Sequence, residues 1–195
     1  MIHVVVGLGN PGRDYIQTRH NIGFLILDHF VSSHGAIWRM ESRWQSEMAT
    51  VKFEKEGAAR VLKLIKPLTF MNLSGVAVKS FLSWHQISAE EILVVADDVA
   101  LPTGQLRFRT RGSSGGHNGL ASIEHHIQTQ DFARLRCGVG PLPSQKDLAE
   151  YVLEKFSSVE KETVVEMIEK AGEAIECACL LGLDAAMNQF NQLQP

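Results

Sequence analysis

No run of apolar residues in this chain of 195 residues approaches the roughly 20 needed for a membrane-spanning helix. The opening Met-Ile-His-Val-Val-Val-Gly carries no basic segment ahead of its apolar residues, so no secretory leader is expected. Cysteine is scarce. Cys137, Cys177 and Cys179 are an odd number with no CxxC pair, which argues against a disulfide scaffold and for reduced thiols in the cytoplasm. A basic excess is missing as well: 19 Lys and Arg against 22 Asp and Glu leave a net charge of −3. What is present is a globular balance, 45% hydrophobic and 21% charged, at a length that suits one domain.

The average charge hides a division. Residues 151–176 hold seven Glu and three Lys, whereas residues 104–119 hold Arg107, Arg109 and Arg111 with no acid, and Arg134 and Arg136 follow. Local fields bind polyanions, and the average does not. The competing reading is that alternating arginines are only the wet face of a half-buried strand.

Strand-like runs are read at Ile2–Val6, Met48–Phe53, Ala59–Ile65, Ile92–Ala96, Gln105–Thr110 and Phe132–Val139. The second and third pair as a hairpin turning near Glu56-Gly57. Helical spacing marks 21–33, 72–83, 118–129, 146–155 and 159–181. Mixed strands and helices predict an α/β fold, a single central sheet, part parallel and part antiparallel, flanked by helices.

Three motifs invite a function and fail on context. Gly7-Leu8-Gly9-Asn10-Pro11-Gly12 has the GxGxxG spacing of a dinucleotide site, but no helix opens directly after it, and Asp28 falls inside a helix. Gly112-Ser113-Ser114-Gly115-Gly116 matches a nucleophile elbow, yet Glu124 is the only acid between Ser114 and the last histidine, His126, so no triad assembles. His117, His125 and His126 with Asp97 and Asp98 lack metal-ligand spacing, and no metal or cofactor is expected. A subtler pattern remains. Of six asparagines, Asn10, Asn72 and Asn118 each fall in a loop or helix start after a strand, where α/β sheets place ligands. Each alone could be a helix cap. Together with His20 and the Asp97-Asp98 pair they suggest amide groups around a His–Asp couple, able to hold a peptide backbone or an ester carbonyl.

These residues fall in recognisable order. With Gly7–Gly12, Tyr15–Gly23 (YIQTRHNIG), Lys66–Gly75 (KPLTFMNLSG), Gly115–Leu120 (GGHNGL) and Phe132–Gly140 (FARLRCGVG), the chain resembles the bacterial-type peptidyl-tRNA hydrolases. The resemblance implies a cytoplasmic monomer that hydrolyses the ester between a peptide and tRNA without metal or cofactor. It also implies site roles: His20 as general base, Asp97 as its orienting acid, Asn72 on the water or oxyanion, and Asn10 and Asn118 on the peptide main chain. Tyr15 and Phe70 would touch peptide or terminal nucleotide, and Arg109 and Arg136 the tRNA phosphates, with Arg107, Arg111 and Arg134 as further contributors. Ala96 and Ala100 stand where that family often has His and Asp, and Arg111 where it usually has Gly. The alternative is a catalytically silent RNA-binding relative of the same fold.

Overall fold

A computed structural model describes residues 1–55 and 58–192. The Glu56-Gly57 turn of the expected hairpin lies outside them. Seven strands form one sheet: β1 (Val4–Gly7), β2 (Arg39–Glu41), β3 (Ser46–Lys55), β4 (Ala58–Pro67), β5 (Ile92–Pro102), β6 (Leu106–Arg109) and β7 (Ala133–Gly140). Their spatial order is β2-β3-β4-β1-β5-β7-β6. The four inner strands β4, β1, β5 and β7 run parallel, and both edges are antiparallel. The sheet is therefore mixed, within one domain.

Burial explains the composition of the inner strands. Val4–Val6 and Ile92–Val95 are wholly buried because helices cover both faces, so they show continuous β-branched runs without polar alternation. Alternation still sorts them. Val5, Leu93 and Val95 pack on the face of α1 (Ile22–Ser33), α5 (Lys161–Leu180) and α6 (Leu183–Phe190). Val4, Val6 and Val94 meet α2 (Ser74–His85) and α3 (Asn118–Ile127) on the other. Each such side chain removed from water is worth roughly 1.5–3 kcal/mol.

The differences from the sequence reading have local causes. The helix expected from residue 146 is the short α4 (Leu148–Val152), because the Asp147 carboxylate accepts from the N–H groups of Ala149 and Glu150 and so caps it there. The helix expected from Asn72 is a 3-10 turn over Met71–Leu73 leading into α2. Strand β5 runs to Pro102, well beyond Ala96, since β7 continues to pair with it across an irregularity after Asp98. The three-residue β2 and the eight-residue α6 are too short to stand out.

Candidate active site

The site forms at the carboxyl ends of the parallel strands, where α/β sheets open a crevice. His20 sits on a 3-10 turn, Arg19–Asn21, that leads directly into α1. Gly23 lets that helix come close: a Cβ there would lie 2.5 Å from the Val95 carbonyl oxygen and 2.6 Å from Leu8 N. The neighbours of His20 clamp the turn. Arg19, buried, donates to the Val139 carbonyl (3.2 Å) and forks onto Glu160 at 2.7 and 2.9 Å, with its guanidinium over the Tyr151 and Phe156 rings. Its hydrogen bonds hold the Glu160 carboxyl down at about 2, against an opposing push from burial.

Asp97 on β5 is the centre of charge. Its Oδ1 lies 2.7 Å from His20 Nδ1 and 2.9 Å from His117 Nε2, and the two imidazole centroids are 4.9 Å apart. Burial pushes this carboxyl up, but the two histidines more than offset that through charge and hydrogen bonding, so it stays well below the ordinary carboxylate range. The proton positions follow from the network. His117 Nδ1 accepts from the N–H groups of Gly119 and Leu120, so His117 is the N-cap of α3. With Nδ1 accepting, the ring proton is on Nε2 and is donated to Asp97. An ionised Asp97 only accepts, so His20 presents Nδ1–H to it. That leaves Nε2 of a neutral His20 with a free lone pair, able to take a proton.

A cavity of about 300 Å³ adjoins this cluster, lined by His20, Asp97, Ser114, His117, Asn118 and Arg136, with Leu148, Ala149 and Val152 on the α4 side. The structure thus gathers His20, Asp97, Asn118 and Arg136. Asn118 is exposed and leaves the capping of α3 to His117. Asn10 and Asn72 are not among the lining residues and are linked to each other through Met71. Asn10 Oδ1 accepts from Met71 N at 2.8 Å, and Met71 opens the turn that carries the exposed Asn72. Asn21, unassigned from sequence, holds Asn10 at both ends of its backbone: its Oδ1 accepts from Asn10 N and its Nδ2 donates to Asn10 O, both at 2.9 Å. Tyr15, Phe70 and Arg109 do not line the cavity. Tyr15 is half-buried on the turn Arg13–Tyr15, Phe70 is 56% exposed, and Arg109 is exposed on β6.

The arginines divide. Arg136 Nε is 2.8 Å from Asp98 Oδ2, and Arg107 lies opposite Arg136 in register. Arg111 lies beyond the end of β6, so only Arg107 and Arg109 share its outer face. Arg134 cannot contact a ligand. Its side chain is buried over the Phe132 ring, donating to the Gly112 and Gln130 carbonyls and standing 3.7 Å from Glu124. It pins the glycine loop to the sheet. The Ala100 N–H donates to Asp98 Oδ1.

His117 carries no role in the sequence reading, although the GGHNGL segment holds it. The ligating atoms of His20, Asp97 and His117 lie within 4.8 Å of one another, a spacing that could hold a metal ion. His125 and His126 are not part of this group. In the present hydrogen bonding, His117 Nε2 bears a proton and Nδ1 is engaged, so a metal would have to displace the Asp97 hydrogen bond.

A histidine hydrogen-bonded to a buried carboxylate, beside a cavity at the strand ends, is an arrangement found in hydrolases. The peptidyl-tRNA hydrolase family model matches residues 4–195. The chain is 44% identical over 191 residues to the peptidyl-tRNA hydrolase of Methylacidiphilum infernorum, covering 98% of each. It is 41% identical over 192 residues to that of Geobacillus thermodenitrificans, covering 96% of this chain and 98% of the relative. The crystal structure of peptidyl-tRNA hydrolase from Acinetobacter baumannii superposes with a TM-score of 0.89 at 34% identity, covering 100% of this chain and 96% of that one. The chain belongs to the peptidyl-tRNA hydrolase family.

Proposed function

We propose that this protein hydrolyses the ester joining a peptide to the terminal ribose of tRNA, with His20 as general base and no metal. The observation that carries the reading is the hydrogen-bond order around Asp97, which leaves His20 Nε2 as acceptor. In the step proposed, Nε2 takes a proton from water, and the resulting hydroxide adds to the ester carbonyl. The oxyanion then collapses, the ribose oxygen leaves, and the imidazolium returns the proton to it. Asp97 orients the imidazole and stabilises its charged form, and His117 holds Asp97 in place. Asn72 supplies a donor to the water or the oxyanion, an effect worth about 2.7–4 kcal/mol in comparable sites. Asn10 and Asn118 take the peptide main chain, Tyr15 and Phe70 the peptide or terminal base, and Arg109 and Arg136 the phosphates.

Recognition of the peptide amide separates the substrate from aminoacyl-tRNA, whose charged amine would lose hydration and pairing in the same place. The test is single-turnover hydrolysis of an N-blocked aminoacyl-tRNA beside its unblocked counterpart. Rapid cleavage of the blocked substrate alone is expected, and binding without cleavage would mark a silent RNA-binding relative instead. EDTA should leave the rate unchanged. Loss that Zn²⁺ or Mg²⁺ restores would make the His20–Asp97–His117 cluster a metal centre.

A further inference from the structure

Away from the His20 cavity, a groove of about 590 Å³ opens at the opposite side of the sheet, beside β2 and β3. Strand register builds it. Arg39 on β2 lies opposite Met48 on β3, and Thr50, two residues further, lies opposite Lys63 on β4. Alternation therefore puts Arg39, Met48, Thr50 and Lys63 on one face. This is the face that α2 covers, with Met48 packed into its cluster. Helix α2 ends at His85, where Gln86 turns into the left-handed region, and His85 becomes one wall of the groove.

Cations outnumber carboxylates on this face, Arg39 and Lys63 against Glu41. Lys63 Nζ lies 3.3 Å from His85 Nδ1, and an ammonium can only donate, so His85 Nδ1 accepts and its proton sits on Nε2. Burial, with the charge of Lys63 added, holds the His85 pKa below its usual value. Neither Lys63 nor Arg39 meets a carboxylate within ion-pair distance among the described residues, although Glu41 stands in the same wall. Trp44 adds a flat surface, its ring 5.3 Å from those of Phe81 and His85, and its buried indole N–H has no acceptor among the described residues. Lys63, which meets the His85 imidazole and the Phe81 ring, and Arg39 lack a carboxylate partner among the described residues, and with an imidazole N–H beside an indole they suit an anion that also carries a flat ring.

We propose that this groove binds a small phosphate-bearing ligand with a planar base, of the nucleoside monophosphate class. Its phosphate sits at Lys63 and Arg39, and its ring lies against Trp44. The site is separate from the hydrolytic one, so its occupancy is readable without turnover.

The experiment is an NMR titration of the full chain with AMP, with inorganic phosphate and adenosine as separate arms, following the Trp44 indole N–H and the His85 ring. AMP at millimolar concentration should shift both signals. Phosphate alone should move chiefly His85, and adenosine alone should bind at least about tenfold more weakly than AMP. Lys63→Gln should weaken AMP by about tenfold or more while leaving hydrolysis of a blocked aminoacyl-tRNA unchanged. Trp44→Leu should weaken AMP but not phosphate. The proposal is overturned if AMP moves neither signal, if its shifts concentrate at His20 and His117, or if Lys63→Gln leaves AMP affinity intact. Equal affinity for phosphate and AMP, unaffected by Trp44→Leu, would remove the ring from the assignment.

Discussion

Around Asp97 the polar groups are tied down in sequence: His20 and His117 to the carboxylate, His117 to the start of α3, Asn21 to Asn10, and Asn10 to Met71. Along the outer face of β6, Arg107 and Arg109 have no carboxylate partner among the described residues, and Arg109 stands exposed. The two regions suit different tasks. Bond cleavage needs donors and acceptors fixed before the transition state forms, because reorganisation during the reaction would raise the barrier. Gripping a phosphate backbone needs charge within reach and little geometry, so freely moving cations serve. If this division is right, substitutions in the first region act on rate, and those in the second act on affinity and its salt dependence.

The largest effect is expected at His20. His20→Ala should lower single-turnover hydrolysis by about 10²- to 10⁴-fold with circular dichroism unchanged. A folded variant of near-normal rate would end the general-base assignment. Next comes the carboxylate pair. Asp97→Asn should cost about 10²-fold or more, since an amide cannot accept as strongly from both imidazoles. Asp98→Asn should cost less, because Asp98 faces Arg136 and the Ala100 N–H. Equal losses, or the reverse order, would show that the hydrogen bond between His20 and Asp97 does not direct the chemistry.

Arg134 tests the boundary between the regions. It lies two residues from Arg136 in an alternating strand, yet its guanidinium is buried against Gly112, Gln130 and Glu124. Removing one partner of a buried ion pair typically costs about 3–5 kcal/mol, an upper bound for Arg134, which stands 3.7 Å from Glu124 without a hydrogen bond to it. Arg134→Ala should therefore lower the midpoint of urea unfolding, an effect that Arg136→Ala should not match. A stable Arg134→Ala protein with weakened tRNA binding would move Arg134 into the phosphate-binding group.

This pair also shows where sequence reading stops. Periodicity locates the inner strands, because a run such as Ile92–Val95 has no other suitable place than between two helical layers. It does not separate Arg134 from Arg136. Their spacing puts both on one strand face, and only the Gly112 loop folding over Arg134 distinguishes them. His117 is hidden for a similar reason. A histidine beside Asn118 at a helix start leaves the cap to be assigned to the asparagine, a better capping residue by type. Only the distance from His117 Nε2 to Asp97 gives the histidine its second bond. Asn21 likewise acts through backbone atoms of Asn10, which no side-chain pattern records.

The smallest expected effect is the most discriminating. Arg109 and Arg136 share one expected role, holding tRNA phosphates, but they occupy different surroundings. Arg109 is exposed and outside the cavity, whereas Arg136 lines the cavity and faces Asp98. Removing one cation from the phosphate backbone should reduce the slope of log affinity against log salt by roughly 0.7–0.9. Arg109→Ala should show that change on full-length peptidyl-tRNA and leave a minimal substrate, a blocked amino acid esterified to a short nucleotide, at its normal rate. Arg136→Ala should flatten the slope similarly. It should also slow the minimal substrate modestly, because Asp98 then remains buried beside the site without its cation. Parallel slowing of both substrates in Arg109→Ala would place the β6 face within the catalytic region. No change in either slope would reduce the arginine alternation to a solvated strand face.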